Sequence, residues 1–187
     1  MTPTFRTSQG GSAADPSVPH LILVGLPGSG KSVVGMRAAE IAERTFLDFD
    51  AEIERREGKP IAQIFGESGE HHFRAKERVL TEELREMGGM ILAPGGGWIV
   101  NPDVVSLLRP PSIMVYLKVR PETALKRMGK RQELRPLLMR ADPAQEMRRL
   151  FEARRVLYEG ADHVIDSEHL TLQEVTEKVV ALAKELR

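Results

Sequence analysis

A chain of 187 residues has the length of one α/β domain, and a globule of that size buries about 70% of the surface its unfolded chain exposes. Lysine plus arginine and aspartate plus glutamate both number 27, so the formal net charge is zero and no global positive field draws in nucleic acid. The absence of cysteine excludes a disulfide framework, thiol catalysis and a zinc–thiolate site, and no apolar run approaches the ~18 residues that span a bilayer.

Residues 1–19 are rich in Thr, Ser, Gly, Pro and Ala, lack the apolar core of a signal peptide, and read as a flexible tail. Residues 20–187 read as one domain, expected in the cytoplasm. Its first element is an apolar run, residues 21–25, with the pattern of a buried strand. The spacing G-x-x-x-x-G-K-S follows at once, from Gly25 to Gly30, Lys31 and Ser32. Val34, Ala38, Ile41 and Ala42 then repeat at helical intervals. Strand, glycine loop and helix in that order are the setting of a phosphate-binding P-loop. Glycines let the backbone turn its N–H groups inward as an anion nest, and the helix N-terminus adds about half a positive charge there. Gly28, Ser29, Gly30, Lys31, Ser32 and Val33 are therefore the candidate contacts to the phosphates of a nucleotide. Lys31 suits the β- and γ-phosphates, and the Ser32 hydroxyl suits Mg²⁺.

Residues 45–50 read as a second strand ending in Asp48 and Asp50, followed by a short helix from Ala51 to Glu57 and another opened by Pro60. Phe73, Leu80, Leu84 and Met87 mark one face of a long helix that stops near Gly88 and Gly89. Residues 90–93 form a third strand leading into Pro94, Gly95, Gly96 and Gly97. Asn101-Pro102 starts the next helix, residues 112–119 form a fourth strand, and Arg120-Pro121 opens a helix containing Ala124, Leu125 and Met128. Between 129 and 142 the apolar period fails and charge rises, which marks a candidate lid. Asp142-Pro143 caps a helix to about Gly160, and residues 163–165 form a last strand. Thr171 and Glu174 make a capping box, with Leu170 and Val175 as its staple. The alternation predicts an α/β fold, three layers around a five-stranded parallel sheet.

Ligands of such sheets sit beyond the carboxyl ends of the strands. Strand alternation puts Asp48 and Asp50 on one side, which gives Asp48 to the Mg²⁺ shell and Asp50 to an acceptor hydroxyl, one of them also capping the next helix. On the helix after Pro143, Met147, Leu150, Phe151, Leu157 and Tyr158 form an apolar arc with Arg154 in its middle. An inward guanidinium needs an anion, either an internal carboxylate or that of a ligand held by a bidentate fork. Arg74 is placed to supply a second fork. Arg135, inside the lid, is suited to neutralise a phosphoryl group in transfer. Gly95, Gly96 and Gly97 let the backbone approach a ligand and donate N–H groups. His71, His72, Trp98 and Met114 read as packing or surface residues.

The ordered set G-L-P-G-S-G-K-S, D-F-D, I-F-G-E-S-G-E-x-x-F-R, G-G-G, R-P-L-L and R-x-x-x-Y resembles the shikimate kinase family from about Leu21 to the C-terminus. The resemblance implies ATP-dependent phosphorylation of the 3-hydroxyl of shikimate, on the chorismate route to aromatic amino acids. It also implies a nucleoside-monophosphate-kinase-like fold with strand order 2-3-1-4-5 and a lid that closes on ATP. A monomer is expected, and the balanced charge and short apolar runs lead to no expectation of nucleic acid or membrane as partner. By that resemblance Lys31 and Ser32 hold phosphate and Mg²⁺, and Asp50 binds the shikimate hydroxyls and accepts a proton. Arg74 and Arg154 bind the carboxylate, Gly96 contacts the ring and Arg135 acts on ATP. Two features depart from the family: Pro94 stands where Thr is common, and the lid between Arg127 and Arg135 is about one residue longer. A gluconate-type sugar-acid kinase and a non-catalytic ligand sensor are the alternatives, and the triple glycine and R-P-L-L count against the first.

Overall fold

The structure, a computed structural model, describes residues 16–129 and 142–186. Strand β1 (Leu21–Val24) lies between β3 (Ile91–Ala93) and β4 (Ile113–Lys118), with β2 (Phe46–Asp48) and β5 (His163–Asp166) at the edges. The order is β2-β3-β1-β4-β5 and every pairing is parallel, as the resemblance implies. All four side chains of β1 are buried because helices cover both faces of the sheet. Leu21 and Leu23 join Val115, Leu117 and Ile165 beneath α1 (Lys31–Ala42) and α7 (Leu172–Glu185). Ile22 and Val24 join Leu92, Met114 and Tyr116 beneath α3 (Ile61–Leu84) and α6 (Pro143–Glu159).

Most helix boundaries follow their local chemistry. Asp142 accepts from the N–H groups of Ala144 and Gln145 to start α6, and Thr171 and Glu174 form the expected capping box on α7. Pro60 has no side chain to cap α3, so Glu54 of α2 (Phe49–Glu57) accepts from the Ile61 N–H at 2.8 Å instead. Arg56 holds the two helices together, bonded to Glu52 on its own helix (2.7 Å) and to Glu83 on α3 (2.7 and 2.9 Å). Within α3 the backbone leaves helical geometry at Gly69 (φ 77, ψ 171), which divides the element into two segments.

Three expectations need correction, those for Asp50, Ile41 and Leu157. The second strand ends at Asp48 and α2 already begins at Phe49, so Asp50 is a helical residue and strand alternation does not govern its direction. The helix expected to start at Asn101-Pro102 does so, as the single turn α4 (Pro102–Val105), preceded by a 3₁₀ turn at Trp98–Val100. On α1 the buried face is Val34, Gly35, Ala38 and Ala39, while Ile41 is 56% exposed. Gly35 is needed there because a Cβ would come within 2.4 Å of the Phe46 ring, so the helix leans on the sheet through its smallest residues. On α6 (Pro143–Glu159), Leu157 is 41% exposed, on the rim of the apolar arc. The candidate lid, apart from its end residues, lies outside the described residues.

His20 closes the sheet at the end away from the P-loop. Its Nδ1 accepts the Met90 N–H at 3.3 Å and its Nε2 bonds the Leu84 carbonyl at 3.1 Å, a pairing that needs the neutral ring. Burial, helped by the charge of nearby Arg44, lowers its pKa below the ordinary 6.5. A histidine kept neutral by the fold stabilises fully above its unfolded pKa, and that contribution is lost as pH falls below about 6.5, at up to about 1.4 kcal/mol per pH unit. Urea midpoints at pH 7.5 and 5.5 should therefore fall further apart for the wild type than for His20→Gln. Equal differences for the two proteins would contradict this account.

Candidate active site

The loop between β1 and α1 places Lys31 and Ser32 in the first turn of α1, whose early N–H groups lack intrahelical acceptors. Gly30 at the cap is left-handed (φ 99). Gly28 (φ 81) lies so close to α5 (Pro121–Met128) that a Cβ would meet the Ala124 carbonyl at 2.3 Å, so both its backbone angle and its surroundings demand glycine. Ser29 is buried in the loop, whereas Val33 is 39% exposed at the start of the helix. Lys31 Nζ donates to the carbonyls of Gly25 (2.9 Å) and Leu26 (3.0 Å), which holds the amine across its own loop.

The Ser32 hydroxyl donates to Asp48 Oδ2, while Asp48 Oδ1 accepts the Ala51 N–H at 3.1 Å and so caps α2. Of the two aspartates, the cap is thus Asp48. One carboxylate fixes the helix that carries Asp50 and also lies against the P-loop serine. A hydroxyl and a carboxylate oxygen side by side are the hard donors that Mg²⁺ takes, so the residues fit that ion.

Gly95, Gly96 and Gly97, directly after β3, are where charged side chains from several elements meet. A Cβ on Gly95 would stand 2.9 Å from Asp50 Oδ1 and 3.0 Å from Glu77 Oε1. On Gly96 it would stand 3.4 Å from Arg154 Nη1 and 3.3 Å from Pro27 of the P-loop. On Gly97 it would stand 2.3 Å from Arg74 Nη2. Asp50, Arg74 and Arg154, expected from three separate stretches of sequence, therefore converge on one turn that also touches the nucleotide loop.

Arg154 is 7% exposed, between buried Met147, Leu150 and Tyr158 on the inner face of α6. Among the described residues no Asp or Glu forms an ion pair with it. Tyr158 fixes the turn from the same helix, its hydroxyl donating to the Gly96 carbonyl at 3.1 Å. Burial raises the Tyr158 pKa against the pull of Arg154.

Sequence reasoning missed Glu77. It is buried on α3 three residues after Arg74, and its Oε2 accepts from Arg74 Nη1 at 2.5 Å. Its Oε1, facing Gly95, has no hydrogen-bond partner among the described residues. Burial pushes its pKa up to about 7, with repulsion from Asp50 and Glu70 adding to the shift and the Arg74 charge opposing it. The i, i+3 spacing from Arg74 was the available signal. Thr81 and Trp98 lock the same region: Thr81 Oγ1 bonds the Glu77 carbonyl (2.7 Å) and accepts from Trp98 Nε1 (3.1 Å). Arg135 lies outside the described residues.

The family model for shikimate kinase matches residues 27–184. The chain belongs to the shikimate kinase family. It is an ATP-dependent phosphotransferase that moves the γ-phosphoryl group to the 3-hydroxyl of shikimate, giving shikimate 3-phosphate and ADP, in chorismate biosynthesis. A shikimate kinase of Pelotomaculum thermopropionicum is 36% identical over 166 residues, which are 89% of this chain and 96% of that one. Among solved structures, shikimate kinase from Acinetobacter baumannii in complex with shikimate aligns with a TM-score of 0.82 at 37% identity. That alignment covers 91% of this chain and 96% of the other. A gluconokinase from Sinorhizobium meliloti aligns at 0.56 with 17% identity, over 90% and 93% of the two chains, a likeness of fold alone.

Gly97 has φ −93 and ψ −9, angles alanine adopts freely, so Gly97→Ala should leave the backbone intact and act through the guanidinium it displaces. We expect shikimate affinity to fall by about tenfold or more, the scale of one lost charge-assisted hydrogen bond, with ATP affinity unchanged. Titration calorimetry with each ligand separately checks this, and a wild-type dissociation constant for shikimate would refute it.

Proposed function

We propose that the residues gathered at the triple glycine and the P-loop divide the family reaction between them. ATP lies with its phosphates in the loop of Gly28, Ser29 and Gly30, against the first turn of α1 at Lys31, Ser32 and Val33. Ser32 and Asp48 hold Mg²⁺, which supplies charge neutralisation and orientation to the phosphates. The Lys31 amine leaves its loop carbonyls for the phosphoryl oxygens. Asp50 orients the 3-hydroxyl of shikimate and receives its proton. Arg74 and Arg154 grip the carboxylate, while Gly95, Gly96 and Gly97 admit the ring close to the backbone. Arg135 belongs to the ATP side on sequence grounds alone. Catalysis on this reading is positioning plus electrostatic stabilisation, with little covalent chemistry asked of the protein.

The observation that carries the reading is the contact of one three-residue turn with Asp50, Arg154, Arg74 and Pro27 together. It brings two cations suited to a carboxylate, and one acid suited to a hydroxyl, beside the phosphate loop. The buried charge of Arg154 favours a ligand carboxylate over an internal one. We further propose that residues 20–187 act as one domain and as a monomer on small molecules in the cytoplasm, without nucleic acid or membrane. The zero net charge supports that, and among the described residues no helix is long and apolar enough to cross a bilayer.

ADP release measured separately with shikimate and with gluconate tests the acceptor, and only shikimate should support turnover. Lys31→Ala should lower kcat by about two to three orders of magnitude while thermal unfolding stays cooperative. Arg154→Ala should raise the KM for shikimate by about ten- to a hundredfold and leave the KM for ATP nearly unchanged. Tight shikimate binding without ADP release by the wild type would favour a sensor. An unaltered KM for shikimate in Arg154→Ala would refute the carboxylate assignment.

A further inference from the structure

Arg74 meets the acceptor side with two carboxylates of its own helix already bonded to it. Glu77 takes Nη1 at 2.5 Å. Glu70, four residues earlier, accepts from both Nε (3.2 Å) and Nη2 (2.9 Å) through its single oxygen Oε1. Those two N–H groups point the same way and form the edge that a planar carboxylate grips with two parallel bonds. The flat of the guanidinium is pressed against Gly97, where a Cβ would lie within 2.3 to 2.8 Å of Nη2, Cζ and Nη1. A carboxylate ligand and Glu70 thus compete for one edge.

The two glutamates differ in what it costs to move them. The Glu77 side chain is 2% exposed, and breaking its pair would strand a buried cation and a buried acid together. The Glu70 side chain is 54% exposed and regains water on leaving. Glu70 also follows the backbone break at Gly69, so it stands in the first turn of the second segment of α3. A carboxylate at a helix N-terminus is favoured by the free N–H groups there, which gives Glu70 a second resting place.

We propose that Glu70 is a tethered stand-in for the carboxylate of the substrate, holding the Arg74 fork in its binding orientation and yielding it to the incoming acid. The inference rests on the reading of Arg74 as a carboxylate fork. Only a ligand that makes both bonds to that edge displaces Glu70, so the contact favours planar acids over other anions. Apparent affinity is lowered by the fraction of time Glu70 holds the edge. A pair spaced i, i+4 whose acid is 54% exposed and whose arginine is 20% exposed is modest, so that fraction is roughly one half to four fifths, and removing the competitor should tighten binding by about two- to fivefold.

The test is titration calorimetry of shikimate, and of its uncharged methyl ester, into the full chain and its variants. Glu70→Gln should bind shikimate about two- to fivefold more tightly than wild type and bind the ester no differently. Glu67→Gln removes an equal charge one turn away that bonds Lys59 and Gln63 rather than Arg74, and it should bind both ligands as wild type does. Unchanged or weaker shikimate binding by Glu70→Gln would overturn the inference. Equal tightening by Glu67→Gln would also overturn it, by reducing the effect to a general field. If the wild type failed to bind shikimate at all, the functional reading itself would fall. If it bound and Glu70→Gln bound no tighter, only the stand-in role would.

Discussion

The missing side chains at Gly95, Gly96 and Gly97 are the constraint on which the rest of the site depends. Each glycine faces a different charged group: a Cβ would crowd Asp50 and Glu77 at Gly95 and Arg74 at Gly97, and would stand in ordinary contact with Arg154 at Gly96. They come from α2 and α3, which are consecutive, and from α6, which lies far along the chain. The sheet makes this possible by ending β3 beside β1, so that the turn after one strand faces the loop after the other. Tyr158 bonds the Gly96 carbonyl, and the Trp98–Thr81 bond fixes the turn to α3. The backbone there is held from two sides, with Gly95 and Gly96 partly exposed and Gly97 buried.

Such a gathering of charge is costly. Glu77 is a buried acid with one oxygen that finds no hydrogen-bond partner among the described residues, and burial pushes its pKa up to about 7. Asp50 lies close enough to add to that shift. Arg74 offsets part of the cost and is itself held between Glu70 and Glu77. On the nucleotide side the fold economises on groups instead: Asp48 caps α2 and contacts Ser32 with its two oxygens. Removing that carboxylate would therefore disturb the position of Asp50 as well as the P-loop.

Much of this was legible in the sequence, for reasons that differ residue by residue. The P-loop is local, so its spacing sufficed. Arg154 was found by helix periodicity, because a cation inside an apolar arc is anomalous wherever the arc points. Asp50 does lie at the turn, but not by the route that strand alternation gave: the chain turns helical directly after Asp48, a boundary that propensity does not locate. Ile41 and Leu157 were placed inward because periodicity gives the direction of a face but not how far the neighbouring layer extends. Glu77 went unnoticed because an acid three residues from an arginine on a helix is ordinarily a solvated pair. Only the tertiary contact with Gly95 distinguishes it.

If the turn acts by receiving the guanidinium, its effect and that of the arginine are one effect. A double-mutant cycle on shikimate affinity between Gly97→Ala and Arg74→Ala measures this directly. We expect strong coupling: once Arg74 is truncated, adding the methyl group at residue 97 should change the dissociation constant by less than about twofold. Additive losses, with Gly97→Ala costing as much without the arginine as with it, would contradict the account.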